Sequence, residues 1–271
     1  MKKFFSILLI IVLLLSVIVL SAAVVYKIKV NNQVEAGQEL YTMISQEAFS
    51  ASFSENSDEH DELGMPSAGE RTERKVGPDF DVLREINSDV VGFLEVPDTL
   101  ISYPILYNEN NGYYLKHNID GTRGYPGCLY IENYNNPDLS DDFKVVYGHN
   151  MLDDTMFSEL PKYRKEEFRN SHRYFYLYTP GEVKVYKVVM VSHYTPEHLF
   201  IEDFTIYENG TYKFNGFKGN ESELLRDHLK EYGDSKAWFS GQDGTESSDY
   251  LVLSTCDGKN TRLIVAGVLV R

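Results

Sequence analysis

Beyond residue 77 the chain alternates short apolar segments with turn residues, a pattern typical of β-strands. A few segments with helical spacing interrupt this series. Many short strands with helical insertions predict a mainly β fold, a closed β-barrel of about eight strands. The predicted strands are residues 90–96, 101–106, 128–132, 144–147, 173–178, 182–193, 250–255 and 262–270.

Turn and helix signals separate these strands. Pro180 and Gly181 lie between two strongly alternating segments and predict a hairpin. A short amphipathic helix is predicted to follow Pro78, with Phe80 and Leu83 on its apolar side. Further helical segments are predicted at residues 110–115, 155–168 and 221–232.

The N-terminus carries an apolar run, residues 4–25, without charge, Pro or Gly. As a helix this run would be roughly 33 Å long, enough to cross a bilayer. Lys2 and Lys3 precede it, which favours a cytoplasmic stub at residues 1–3 and an extracellular remainder. The small residues 21–23 resemble a cleavage site, so a secretory signal peptide is the alternative interpretation.

Residues 26–76 are predicted to form an acidic extracellular spacer. Residues 31–70 hold nine acidic side chains and no Lys or Arg. Weak helical periodicity at residues 33–49 predicts a partly helical segment, and the polar stretch after it is typical of disorder. The predicted folded domain therefore comprises residues 77–271.

Composition excludes several classes of function. The formal net charge of −15 argues against nucleic-acid binding, because phosphate recognition needs clustered Lys and Arg. Two cysteines, Cys128 and Cys256, are too few for a disulfide scaffold. No His or Cys spacing indicates a metal site, and no cofactor motif is present.

Cys256 ends an apolar strand, and Arg262 begins the next one. If these two strands pair, the thiol and the guanidinium lie side by side across a short loop. A neighbouring cation favours the thiolate, and a guanidinium can donate hydrogen bonds to an oxyanion. The alternative is a structural cysteine beside an arginine that extends to water.

His149 follows the apolar strand 144–147 and Gly148. A histidine at a strand end can exchange protons near neutral pH, and with a distant Cys it forms a candidate nucleophile–base pair. Asp257 or Asn150 could orient its ring, and the sequence favours neither. The remaining histidines are interpreted as ordinary polar residues: His60, His117, His172, His193, His198 and His228.

The motifs Tyr-Gly-His-Asn-Met at residues 147–151 and Leu-Ser-Thr-Cys at 253–256, with the Arg that follows, resemble the sortases. Residues 87–94, 101–105, 113–115 and 153–160 resemble class B of that family, and the likeness covers about residues 79–271. The resemblance implies a barrel fold and a cysteine transpeptidase without cofactor or metal. Cys256 would be the nucleophile, His149 the acid–base partner and Arg262 the oxyanion stabiliser.

The resemblance also implies partners and a location. The substrates would be surface proteins with a C-terminal sorting signal, cleaved after Thr, and the acceptor an amine of the cell-wall precursor. The enzyme would be held in the cell membrane by its N-terminal helix. Groove residues carried over by motif position are Asn111, Leu115, Thr195, Leu199 and Ser254.

Two features depart from the family pattern. The loop at residues 257–261 is short and lacks the Tyr often found after the Cys, and Leu199 stands where an aromatic is expected. Cys128 lies in an apolar strand and is predicted to be a buried small side chain rather than a disulfide partner. The alternatives to a wall-anchoring enzyme are a cysteine protease, a pilin-polymerising sortase and a non-catalytic binding module.

Overall fold

The computed structural model describes residues 2–55, 77–110, 112–152, 154–195, 204–206, 212–214, 221–241, 249–258 and 260–270. Its α-helices are α1 (Lys2–Glu55), α2 (Phe80–Ile86), α3 (Glu166–Ser171) and α4 (Glu221–Tyr232), and 3₁₀ turns occupy Tyr113–Leu115 and Leu160–Arg164. The strands are β1 (Val90–Glu95), β2 (Ser102–Leu106), β3 (Leu129–Ile131), β4 (Phe143–Tyr147), β5 (Tyr174–Thr179), β6 (Glu182–Tyr194), β7 (Phe204–Ile206), β8 (Tyr212–Phe214), β9 (Trp238–Phe239), β10 (Tyr250–Cys256) and β11 (Arg262–Leu269).

Eight of these strands close into a barrel. Their order around the sheet is β11-β10-β4-β3-β2-β1-β5-β6, and pairing of β11 with β6 completes the ring. The predicted closed eight-stranded barrel is therefore confirmed. Strands β7, β8 and β9 were not predicted, because none of them lies in a continuous apolar run of more than three residues.

The strands β4, β10 and β11 form the most apolar part of the barrel. Nearly all their residues are buried, on both faces of the sheet. The 3₁₀ turn Leu160–Arg164 packs against β11 and β6, with Leu160 and Tyr163 buried. Because both faces of β4, β10 and β11 are buried, their sequences are continuous apolar runs rather than alternating apolar and polar residues.

A buried ion pair holds β4 and β10 together at the ends where both begin. Lys144 Nζ lies 2.5 Å from Asp249 Oδ1, and the Lys144 side chain is wholly buried. Burial lowers the pKa of Lys144, which Asp249 opposes. Tyr186 Oη also donates to Asp249 Oδ1, at 2.9 Å. Because His149 follows β4 and Cys256 ends β10, this network fixes the strands that carry both.

Helix α1 has an exposed apolar N-terminal part and a C-terminal part that packs on the barrel. The N-terminal part is long and apolar enough to cross a membrane. Val34, Tyr41, Ile44 and Ala48 are buried at helical spacing. Tyr41 Oη donates to the carbonyl of Gly127 at 2.5 Å, and its ring packs edge-on against Tyr103.

Close approach of α1 to the loop before β3 depends on Gly37. A Cβ atom at this position would lie 2.1 Å from Pro126 Cδ, so a larger residue would push the helix away. The contact is with the loop that also carries Tyr125, whose ring faces His149. Helix α1 therefore supports a segment that lines the candidate site.

We predict that a chain starting at residue 77 melts at a clearly lower temperature than one starting at residue 30. Each large buried apolar side chain contributes roughly 1.5–3 kcal/mol, and the shorter chain loses the buried face of α1. Thermal unfolding followed by circular dichroism compares the two. Equal melting temperatures would mean that residues 77–271 are the complete folded unit.

Candidate active site

Cys256 and Arg262 face each other across the β10–β11 pair. They are direct partners in the antiparallel register. Directly opposite residues project to the same face of a sheet, so the thiol and the guanidinium share one face. The connection is closed by the Asp257 amide, which donates to the Thr261 carbonyl at 2.9 Å. Cys256 is the one exposed residue of its strand.

His149 is brought beside Cys256 by the parallel pairing of β4 with β10. Tyr147 is the partner of Ser254, two residues before each of these side chains. Beyond the ladder, the Gly148 amide donates to the Ser254 carbonyl at 3.2 Å. Thr255 Oγ1 then donates to the Gly148 carbonyl at 2.8 Å, so the two chains stay paired up to the site.

Asn150 and Gly148 fix the main chain on either side of His149. Asn150 Nδ2 donates to the carbonyl of Cys256 at 2.9 Å. The residue that follows His149 is therefore bonded to the main chain of Cys256. A Cβ atom on Gly148 would lie 2.4 Å from Leu129 Cδ2 and 2.7 Å from Phe157 Cδ2. Glycine is therefore required here by lack of space.

The His149 ring is oriented by main chain. Its Nε2 lies 2.7 Å from the carbonyl oxygen of Leu115. A carbonyl only accepts, so Nε2 carries hydrogen and donates. The Tyr125 ring lies 5.6 Å away, centroid to centroid. Neither Asp257 nor Asn150 makes this contact: Asp257 bonds to His193 and Asn150 to Cys256.

Arg262 lies over the aromatic ring of Tyr147, a contact that the sequence did not predict. Its Cζ atom is 5.1 Å from the centroid of Tyr147. Tyr147 Oη donates to Glu132 Oε2 at 2.8 Å, and Tyr130 stacks on Tyr147 at 5.5 Å. Burial raises the pKa of both phenols, so both are neutral at physiological pH. The guanidinium thus lies on a fixed, neutral π surface that attracts cations.

Two of the predicted groove residues have buried hydroxyls. Ser254 lies two positions before Cys256 and therefore on the same face of β10. Neither Ser254 Oγ nor Thr195 Oγ1 has a hydrogen-bond partner within the part of the chain that the structure describes. Leu115 is half-buried and contributes its carbonyl to His149. Asn111 and Leu199 lie outside the described residues.

Cys128 is a free, fully buried thiol, whereas Cys256 is exposed. Tyr41 Oη, whose hydrogen goes to the Gly127 carbonyl, lies 3.1 Å from the Cys128 sulfur, and the Cys128 S–H donates toward the His117 carbonyl at 3.3 Å. Burial raises the pKa of Cys128 to about 12. The thiol therefore stays protonated at neutral pH, although its contacts are more polar than those of a simple apolar side chain.

Comparison with known proteins agrees with this geometry. The sortase-domain family model matches residues 94–270. A sortase B of Listeria monocytogenes serovar 1/2a is 30% identical over 193 residues, covering 69% of this chain and 72% of that protein. The structure of Clostridium perfringens sortase B aligns with a TM-score of 0.58 at 29% identity, covering 71% of this chain and 100% of that chain.

A Streptococcus pyogenes class B sortase involved in pilus biogenesis aligns with a TM-score of 0.56 at 27% identity. The alignment covers 70% of this chain and 97% of that one. The chain belongs to the sortase family, within class B. Membership of this family makes it a cysteine transpeptidase, and sortases act at cell surfaces on substrates that carry sorting signals.

We predict that iodoacetamide modifies only Cys256 in the folded protein at neutral pH. The exposed thiol is accessible, whereas Cys128 is buried and protonated. Intact-mass spectrometry should show a single adduct on the wild type and none on Cys256→Ala. A second adduct should appear only after unfolding. Modification of Cys128 in the folded chain would contradict its assigned burial.

Proposed function

We propose that the protein attaches surface proteins to an amine of the cell-wall precursor, with Cys256, His149 and Arg262 as its reacting groups. The observation that carries the proposal is the strand register. Cys256 pairs with Arg262 in β11, and His149 follows β4 beside it. This register brings a thiol, an imidazole and a guanidinium to one rim of the barrel, which supports the proposed roles.

In the first step, the Cys256 thiolate attacks the carbonyl carbon of Thr in the sorting signal. A C–S bond forms and the carbonyl oxygen becomes negative, stabilised by hydrogen bonds from the Arg262 guanidinium. The C–N bond then breaks, and His149 gives its proton to the leaving amine. A thioacyl-enzyme remains, and the C-terminal fragment departs.

In the second step, an acceptor amine attacks the thioester carbon. His149 takes a proton from the amine, a new C–N bond forms and Cys256 leaves as the thiolate. The position of Arg262 over the Tyr147 ring supports its role, because the guanidinium is held in place before charge develops. Both steps use the same oxyanion site in the same geometry.

We propose that the peptide substrate lies across Ser254, Thr195 and Leu115, with Asn111 and Leu199 at the same groove. The support is positional. Ser254 lies two residues before Cys256 on the same face of β10, and the Leu115 carbonyl contacts His149. We further propose that α1 anchors the enzyme in the cell membrane with residues 1–3 inside and the barrel outside.

Pilin polymerisation is a second candidate, favoured by the likeness to the pilus-associated Streptococcus pyogenes sortase. In that case the acceptor amine would belong to another protein subunit. The acyl-enzyme chemistry is unchanged. The two candidates differ only in which amine releases the thioacyl group.

We predict that the full-length chain in detergent micelles forms a mass adduct with a sorting-signal peptide that contains Thr. The adduct corresponds to the acyl part of the peptide on Cys256, so Cys256→Ala is the matched control and should form none. Oligoglycine or a diaminopimelate-like amine should release the adduct faster than water does. Intact-mass spectrometry over time measures both steps.

Other outcomes would overturn parts of this proposal. Release by water, with no acceleration by any amine, would identify a cysteine protease. Acceleration by a lysine-containing pilin-like peptide alone would identify a pilin polymerase. If no peptide reacts and Cys256 is not alkylated by iodoacetamide, the protein is a non-catalytic binding module.

A further inference from the structure

A charged cluster lies on the other side of the sheet from the candidate active site. His193 is near the end of β6 and pairs with Leu263, whereas Arg262 pairs with Tyr194. Neighbouring residues point to opposite faces of a strand, so His193 projects away from Arg262. Asp257 follows Cys256 and also leaves the strand on the face opposite to the thiol.

His193 is bonded to a carboxylate on each ring nitrogen. Its Nε2 lies 2.6 Å from Asp257 Oδ2, and its Nδ1 lies 2.9 Å from Asp234 Oδ2. A carboxylate oxygen only accepts, so each nitrogen must donate, and only the imidazolium form has two N–H groups. In that form His193 makes an ion pair with both Asp257 and Asp234.

Arg164 completes the cluster from the 3₁₀ turn Leu160–Arg164. Its Nη2 lies 3.4 Å from Asp234 Oδ2, and its Nη1 lies 3.3 Å from His193 Nε2. Because the contact with Asp257 is shorter, at 2.6 Å, Nε2 bonds to Asp257 rather than to Arg164. Two carboxylates then face one guanidinium and one imidazolium, which balances the charge of the cluster.

Asp257 directly follows the nucleophile, and this gives its ion pair a consequence for Cys256. An unpaired carboxylate one residue away would disfavour the thiolate, because like charges repel. The other charged or titratable groups near the thiol are Arg262 on β11, His149 after β4 and Tyr130 on β3. Of these only Arg262 carries a permanent positive charge.

We propose that His193 is a positioning residue for the sortase reaction. By pairing with Asp257 it neutralises the carboxylate next to Cys256 and holds the start of the Cys256–Arg262 connection on the face of the sheet opposite to the thiol. Asp234 bonds to His193 Nδ1 and holds the ring in this orientation, and Arg164 in turn contacts Asp234. The proposal rests on the proposed role of Cys256 as nucleophile, but its test needs only the reactivity of the thiol.

The test is a double-substitution cycle on the full-length chain in detergent micelles. The variants are His193→Gln, Asp257→Asn and the double variant. For each, the second-order rate of Cys256 alkylation by iodoacetamide is measured against pH, with melting temperature recorded as a check on folding. Asp227→Asn is the matched control, since it removes an equal charge from an exposed position on α4.

We expect His193→Gln to raise the pH midpoint of alkylation by about half a unit. Less thiolate is then present at neutral pH, so the alkylation rate should fall roughly threefold. Asp257→Asn in the same chain should restore the midpoint of the wild type, because the unpaired charge is removed. Asp227→Asn should leave it unchanged. An Asp234→Asn variant should shift the midpoint in the same direction as His193→Gln, which provides a second route if that variant folds poorly.

An unchanged midpoint in a folded His193→Gln variant would overturn the proposal. So would a double variant that reacts as slowly as His193→Gln alone, since this would indicate a purely structural role. The outcome is independent of the transpeptidase assay. Absence of any peptide adduct, with this cycle behaving as expected, would contradict the proposed function and leave the His193–Asp257 pairing in place.

Discussion

Main-chain hydrogen bonds between β4, β10 and β11 set the position of every group proposed to react. The parallel β4–β10 register places His149 beside Cys256, and the antiparallel β10–β11 register places Arg262 opposite it. A slip of one residue in either pairing would turn a side chain to the other face. The buried apolar surface of these strands and the Lys144–Asp249 ion pair oppose such a slip.

The side chains around the rim are held by contacts that begin outside it. Arg262 lies on Tyr147, which bonds to Glu132. The His149 ring donates to the carbonyl of Leu115 at the end of a 3₁₀ turn. It also lies beside Tyr125, in the loop that packs against α1 through Pro126 and Gly37. The helix that could cross a membrane therefore supports a loop that lies beside the acid–base candidate.

Sequence reasoning predicted the features that depend on local pattern. Short apolar segments between turn residues predicted the eight barrel strands. Cys256, His149 and Arg262 became candidates because each lies next to an end of an apolar strand, and the resemblance to the sortases implied their roles. The missed features depend on residues far apart in the chain. The pairs Tyr147 with Glu132 and His193 with Asp257 carry no local signal. The packing of α1 on the barrel was indicated only by the weak periodicity at residues 33–49, which does not say what the helix packs against. His193 was interpreted as an ordinary polar residue for this reason. The domain boundary at residue 77 stays a prediction.

The most direct test of the account is the single-turnover rate of thioacyl formation in Arg262→Lys compared with the wild type. Lysine keeps the charge but lacks the planar fork of donors that the register aims at the reacting carbonyl. The account predicts a loss of about 10²–10³-fold, with melting temperature and Cys256 alkylation little changed. A rate equal to that of the wild type would show that Arg262 has no part in acylation, and would contradict the site as assembled here.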